Sequence, residues 1–486
     1  MLPPRWHNFP GLLLLTLAAV AVAGYHPAAE DGGVYTAAIQ YRLNPALFPW
    51  DSAFLTVKLQ ASLFDRLMAA TVRLTHLPLT WLLLGLHLLT IFGFLAACFR
   101  LASLCFREAR ARWASVALLS VLLTLPVSGS GLYLVDQCLV PRTIAAVLAL
   151  FAASAVLQRR WLAALILLAA ALLFQPVLAA MGVSFCVFLA LPQRPLPAAL
   201  AAVLLPWEML RPGNTPAALH QAIAFHHYCN LMRWTWYEWL GVLAPIALLA
   251  LFSQWPEPEC ATSRARLARR TAAFAVFQTL VAVAIMLPTS FERLRPAEPM
   301  RYLYFVYAAL ILLTGGLLGK YVLRQSVWRW AALFVPLALG MFFVQRVLYP
   351  SSPHLELPGV HSHNAWVEAF DWARRSTPQD AYFVIGAGYQ ERLGEDHQVF
   401  RALAQRSVLA DLGKDSGMVL TSAPLAARWQ QEVQAQQSIL WPHADASGLH
   451  RLRQQFHVTW AVLENPPAAG LVCPYRNERV AVCRID

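Results

Sequence analysis

Residues 12–54 read LLLLTLAAVAVAGYHPAAEDGGVYTAAIQYRLNPALFPWDSAF. The aliphatic run that ends at Ala23 has the make-up of a membrane segment. Shortly beyond it two adjacent carboxylates, Glu30 and Asp31, stand between His26-Pro27 and Gly32-Gly33. If the run enters a bilayer, these acids lie just outside it, and the rest of the chain is what surrounds them there.

The rest of the chain supports a membrane setting. Of 486 residues, 58% are hydrophobic and only 13% charged, against roughly a quarter charged in an ordinary globular chain. That much apolar surface has no place to hide in a soluble fold, so the expected class is a mainly α, polytopic transmembrane helical bundle. About eleven apolar stretches follow one another, at 11–24, 78–99, 113–127, 143–157, 161–174, 177–191, 196–207, 234–252, 271–288, 302–319 and 330–349. Several fall short of the ~20 residues that cross a bilayer and need flanking residues to complete the span.

Lys and Arg in the short loops set the orientation, because cytoplasmic loops carry the excess. With Arg5 inside, every second loop should be basic. Those loops hold Arg100, Arg107, Arg110 and Arg112; Arg159 and Arg160; Arg194; Arg264, Arg266, Arg269 and Arg270; and Lys320, Arg324 and Arg329. The expected domains are therefore a membrane domain over 1–350, with a long first outer loop over 25–77, and an extracytoplasmic α/β domain over 351–486. Arg5, the core Leu12 to Val22 and Ala21-Val22-Ala23 also match a cleavable signal peptide, and on either reading the loop that follows is outside. The net charge of +12 mostly reports cytoplasmic anchoring. No basic, aromatic-interleaved soluble domain points to nucleic acid.

Six of the eight cysteines lie singly in or beside spans, where they read as small apolar residues. Cys473 and Cys483 instead flank PYRNERVAV, a hairpin pattern with Asn477 near its turn, and an oxidising compartment would allow a disulfide between them. No CxxC pair or zinc spacing occurs.

In the first outer loop Val34, Ala38 and Tyr41 recur at helical spacing. NPALFPWD then makes a proline-bounded turn, and Phe54, Val57, Ala61, Phe64 and Met68 predict a second amphipathic helix along the membrane surface. In the tail, AWVEAFDWARR predicts a helix, AYFVIGAG a buried strand, 407–410 a short strand, 424–434 and 446–456 helices, and 460–463 a strand before the Cys473 hairpin. GAGYQE lacks the complete dinucleotide fingerprint.

Ionisable groups are scarce within the spans, where His87, Gln345 and Arg346 are the main polar exceptions; a transporter would need intramembrane charges. Arg142, Arg233 and Arg301 begin spans on the outer side, where an Arg can bind a lipid phosphate bidentately or simply snorkel to the interface. Glu30 and Asp31 admit two readings as well. As catalytic groups one deprotonates or orients an acceptor hydroxyl while the other, with or without a divalent metal, balances a phosphate leaving group. As structural groups they cap a helix. Asp136, beside Arg142, is a second exposed acid or a salt-bridge partner, and His26 is a further candidate. His226 and His227, about 100° apart on a helix, cannot share a metal without His220 or Glu238.

Several stretches resemble a family of bacterial polytopic membrane proteins related to the C-type (GT-C) glycosyltransferase superfamily: GYHPAAEDGGVYTAAIQYRLNPALFPWD, LYLVDQCLVPRT, WTWYEWLGVLAP, EPMRYLYFVYAALILLTGGLLG, AWVEAFDWARRSTPQDAYFV and AQRSVLAD. The resemblance covers most of the chain, and its motifs are specific for the family rather than for a reaction. It implies a catalytic acid in the first outer loop, falling on Asp31 with Glu30 as neighbour, and a polyprenyl-phosphate sugar as donor. The expectation is a glycosyltransferase-like protein of the bacterial inner membrane that glycosylates an envelope acceptor on the outer face. Its partners would be the lipid bilayer and the lipid-linked donor. A non-catalytic envelope protein presenting its α/β tail as a binding module is the second reading, and a transporter the third.

Overall fold

The computed structural model describes residues 8–57, 60, 62–191, 215–254, 261–392, 394–440, 444–467 and 469–485. The chain divides into two compact units, one of Met1–Gly24, Gly85–Asn214 and His227–Gln345, the other of Tyr25–Leu84, Thr215–His226 and Arg346–Asp486.

The first unit is helical. Ten of the expected apolar stretches coincide with helices, and the eleventh, 196–207, lies outside the described residues. Among the described residues five helices are long and apolar enough to cross a membrane: Leu79–Cys105, Trp236–Gln254, Ser263–Met286, Pro299–Leu323 and Val327–Leu348. Two boundaries differ from expectation. The helix expected over 113–127 spans Ala109–Val121, and the chain then turns into a short strand pair, Pro126–Val127 with Leu132–Tyr133. Pro126 disfavours helical backbone in the residue before it. The helix expected from 271 begins at Ala261, so the basic stretch of Arg264, Arg266, Arg269 and Arg270 is itself helical.

Leu303–Leu317 is the most enclosed helix, and small residues explain how it packs. A Cβ on Gly315 would lie 2.7 Å from the Ala114 carbonyl oxygen, and one on Gly319 2.8 Å from that of Arg110. Only glycine lets the two backbones approach this closely, which is how membrane helices gain packing without a hydrophobic drive. Residues 134–140 are buried yet not helical. Their backbone is partly satisfied by the protein: Val135 N donates to the Leu123 carbonyl at 2.9 Å, and Tyr304 Oη donates to that of Leu134 at 2.8 Å. Irregular backbone among membrane helices is tolerated only when buried in protein or lining a water-filled cavity.

The second unit is α/β. Its helices are α1 (Glu30–Leu43), α2 (Ser52–Thr56), α3 (Phe64–Thr75), α4 (Ala217–Phe225), α5 (Ala365–Ser376), α6 (Phe400–Ala404), α7 (Lys414–Val419), α8 (Ala423–Leu440) and α9 (Ala446–Phe456). Its strands are β1 (Tyr382–Val384), β2 (Ser407–Val408), β3 (Trp460–Glu464), β4 (Val472–Arg476) and β5 (Val480–Arg484), ordered β2-β1-β3-β5-β4. β1 runs parallel to β2 and β3, while β5 is antiparallel to β3 and β4. Strand alternation sorts the core onto two faces. Phe383, Val462 and Val482 pack on Trp366, Phe370 and Ala373 of α5. Tyr382, Val384, Ala461 and Leu463 face Leu449 and Leu452 of α9. A disulfide joins Cys473 to Cys483 across the β4–β5 hairpin.

Two expectations are corrected. The single helix predicted across 54–68 is two, α2 ending at Thr56 and α3 beginning at Phe64. The tail does not stand alone from residue 351, because Ala28 and Val34 of the first loop share a buried cluster with Val399, Ala402 and Met418.

Candidate functional site

The acids are placed by the way the first loop threads into the tail. Tyr25 pairs in β-fashion with Leu355, and Ala29 with Gln398, so the turn at Pro27-Ala28 is held to tail backbone on both sides. Val399 N donates to the Ala28 carbonyl at 2.8 Å and Glu30 N to that of His397 at 3.1 Å. Glu30 then opens α1 with φ +51°, a left-handed conformation that costs a non-glycine residue roughly 1–3 kcal/mol and that surrounding structure has to impose. Gly33 explains the Gly-Gly: a Cβ there would stand 2.3 Å from the Ala28 carbonyl oxygen and 2.4 Å from Val399 Cβ.

Neither acid is a helix cap. Ala29 is the N-cap, no side chain caps the helix, and Glu30 and Asp31 lie in its first turn. Both instead meet Lys414 at the start of α7: its Nζ pairs with Glu30 Oε2 and lies 3.4 Å from Asp31 Oδ1. All three side chains are partly open to solvent. Glu391 belongs to the same charge cluster. Burial holds its carboxyl above the usual range, with Lys414 pulling it down and Glu30 pushing it up.

Behind Lys414 lies a buried ion network that the sequence did not reveal. Arg401 on α6 forks to Asp415 through Nη1 and Nη2, both at 2.9 Å, and its Nε donates to Asp51 Oδ2 at 2.5 Å. Asp51 also accepts from Val408 N at 3.1 Å. Desolvation opposes the charge on Arg401, but Asp415 and Asp51 outweigh it and hold its guanidinium well above the usual range. Asp411 Oδ1 accepts from the backbone N–H groups of Lys414 at 2.6 Å and Asp415 at 3.1 Å, fixing the turn that presents Lys414. Burial, aided by the Asp415 carboxylate, pushes Asp411 up to about 7.

The other sequence candidates lie elsewhere. His26 is buried, with Nδ1 2.8 Å from Glu356 Oε1 and its ring stacked on Tyr349, so it fastens the loop and does not join the acids. Asp136, expected to be exposed, is buried because it accepts from Arg142 through Nε at 3.0 Å and Nη2 at 2.6 Å, and from Thr143 Oγ1 at 3.2 Å. Arg301 is buried and ion-paired with Glu298. Arg233 ends a short 3-10 helix and is exposed. His226 Nε2 lies 3.0 Å from Ser416 Oγ, and His227 Nε2 lies 2.8 Å from Glu238 Oε1. His220 lies on α4. Among the described residues no group of three or more His, Cys, Asp or Glu is arranged to hold a metal.

No protein-family model matches the sequence, and no curated protein sequence does. Solved structures are similar. The apo oligosaccharyltransferase of Archaeoglobus fulgidus aligns at a TM-score of 0.49 and 12% identity, over 95% of this chain and 70% of its own. The arabinofuranosyltransferase AftD from mycobacteria aligns at 0.48 and 13%, over 100% of this chain and 40% of its own. The archaeal oligosaccharyltransferase AglB from Archaeoglobus fulgidus, in complex with an inhibitory peptide and a dolichol-phosphate, aligns at 0.45 and 12%, over 95% and 69%. These neighbours are glycosyltransferases, the class that the sequence resembles. With every TM-score below 0.5, the weight of a functional reading falls on the residues of this chain.

Proposed function

We propose that the chain is an integral-membrane glycosyltransferase of the C type. It would move a sugar from a polyprenyl-phosphate donor to an acceptor of the bacterial envelope, on the outer face of the inner membrane. The observation that carries this reading is the placement of Glu30 and Asp31. They follow the first apolar helix closely, remain partly open to solvent, sit on imposed backbone and share one ammonium, that of Lys414.

In this reading the acceptor hydroxyl oxygen attacks the anomeric carbon. The bond from that carbon to the phosphate oxygen breaks, and polyprenyl phosphate leaves with the electron pair. The hydroxyl proton passes to Asp31 as general base. Lys414 holds the direction of both carboxylates and adds a positive charge at the site. Of the outer arginines, Arg142 and Arg301 are ion-paired with Asp136 and Glu298, and Arg233 is at an exposed position. The two acids already face the Lys414 ammonium, and among the described residues no third His, Cys, Asp or Glu joins them in an arrangement for a metal.

The test compares envelope glycans and accumulated polyprenyl-phosphate sugars by mass spectrometry in three strains: a deletion, the deletion restored with wild type, and the deletion restored with Asp31→Asn at matched membrane abundance. The proposal expects a glycan to vanish and its lipid donor to build up in both the deletion and the Asp31→Asn strain. One observation favours a second reading, a non-catalytic envelope protein: the Lys414 contact already satisfies both acids. Wild-type glycans in the Asp31→Asn strain would establish that reading.

A further inference from the structure

The α/β unit carries a second site candidate, away from the acids in sequence. A cleft of about 560 Å³ is lined by His450, Arg453, Gln454, His457 and Thr459. His450, Arg453 and Gln454 recur on one face of α9 at helical spacing, His457 is its left-handed C-cap, and Thr459 leads into β3. Among the described residues the lining holds one guanidinium, two imidazoles, an amide and a hydroxyl, and no carboxylate. Arg453 Nη1 donates to the Ile485 carbonyl at 2.6 Å. A guanidinium beside groups that can each donate a hydrogen bond is suited to an anion.

Trp50 gives the site its second component. This indole comes from the NPALFPWD stretch of the first loop and stacks on Tyr382, with centroids 5.6 Å apart and planes within 8°. Tyr382 is joined to Thr459 by hydrogen bonds, and His457 of the cleft lies 6.3 Å from the Trp50 ring, so indole and cleft are continuous. Three hydrogen bonds lock Trp50: Nε1 donates to the Asp380 carbonyl at 3.0 Å, N to Ser407 Oγ at 3.3 Å, and the carbonyl accepts from Arg428 Nη2 at 2.7 Å. Despite this anchoring, Trp50 stays 43% exposed. Tyr382 covers one face of the ring, and the exposed remainder is a rigid apolar platform edged by donors.

We infer that this cleft and Trp50 together bind a saccharide bearing an anionic group: a sugar ring lies on the indole, and its carboxylate or phosphate meets Arg453, His450 and His457. The indole offers large contact area at low entropic cost because its rotamer is already fixed. The inference goes beyond the proposed reaction and does not depend on it, since a binding module would use the same cleft.

The test uses the full chain in detergent, titrated calorimetrically with three probes. These are a tetrasaccharide of alternating glucuronic acid and N-acetylglucosamine, its carboxyl-reduced neutral counterpart, and sodium phosphate. The charged tetrasaccharide should bind about tenfold more tightly than either of the others, as expected for a lost charge-assisted hydrogen bond or a lost stacking contact. His450→Gln and Arg453→Gln, on the exposed face of α9, should each weaken it about tenfold at an unchanged melting temperature. Trp50→Leu should weaken both saccharides. Absence of binding by the charged tetrasaccharide, or binding indifferent to His450→Gln and Arg453→Gln, would overturn the inference. Phosphate that binds as tightly as the tetrasaccharide would overturn the role of Trp50.

Discussion

At Asp411 a single carboxyl is held by opposing influences. Burial and the Asp415 carboxylate push it up to about 7, while Arg401 and the backbone donors of Lys414 and Asp415 pull the other way. An unfolded Asp titrates near ~3.9. Between that value and about 7 the folded chain therefore binds more protons than the unfolded one, and stability attributable to this group falls as pH rises through the window. Asp411→Asn keeps an acceptor oxygen for both backbone donors and removes the titration. The variant's melting temperature should decline less than wild type's between pH 5 and pH 8, and parallel curves would refute the assignment. Residue-scale features were unevenly legible in the sequence. Glu30 and Asp31 stood out because a pair of acids followed an apolar run, whereas Arg301 was read as a phosphate-binding or snorkelling residue and its i, i+3 partner Glu298 was missed. Lys414 was not legible as their partner, since it lies 384 residues from Glu30 and no periodicity spans that gap.

Elements were easier to read than their partners. Amphipathic periodicity announces helices and short apolar runs bounded by turn signals announce buried strands, so α5, α8, α9 and β3 fell close to expectation. Contact between the first loop and the tail leaves no such mark, because it is made by single residues: Gly33 against Val399, and Asp51 against Arg401. The Arg401 fork ties the chain just before α2 to the first turn of α7, and through α7 it sets where Lys414 stands. Removing the guanidinium leaves Asp51 and Asp415 buried without a countercharge, a loss of about 3–5 kcal/mol. Arg401→Met should therefore lower the melting temperature sharply and reduce folded yield. Arg401→Lys should recover little of it, because an ammonium cannot reproduce the planar fork that engages two carboxylates. A lysine variant as stable as wild type would show that the charge alone matters.

Over the whole molecule, the unit that holds the acids is assembled from three separate stretches of chain, the first loop, a short middle segment and the tail. Cut out alone, residues 351–486 would expose Val399, Ala402 and Met418 and would strip Arg401 of one carboxylate. That fragment, exported by itself, should be protease-sensitive and should lack dispersed amide resonances; a well-ordered spectrum would refute the shared core. The same separation has a consequence for biosynthesis. Asp51 and Arg401 are 350 residues apart, which at ~5–20 residues per second corresponds to about 20–70 s of ribosome time. Throughout that interval the nascent first loop waits without the partner that completes it, while span after span is inserted behind it. This unit is thus closed only once the tail has been translated, and a ribosome that stalls before Arg401 yields a chain whose acids have neither their lysine nor their clamp.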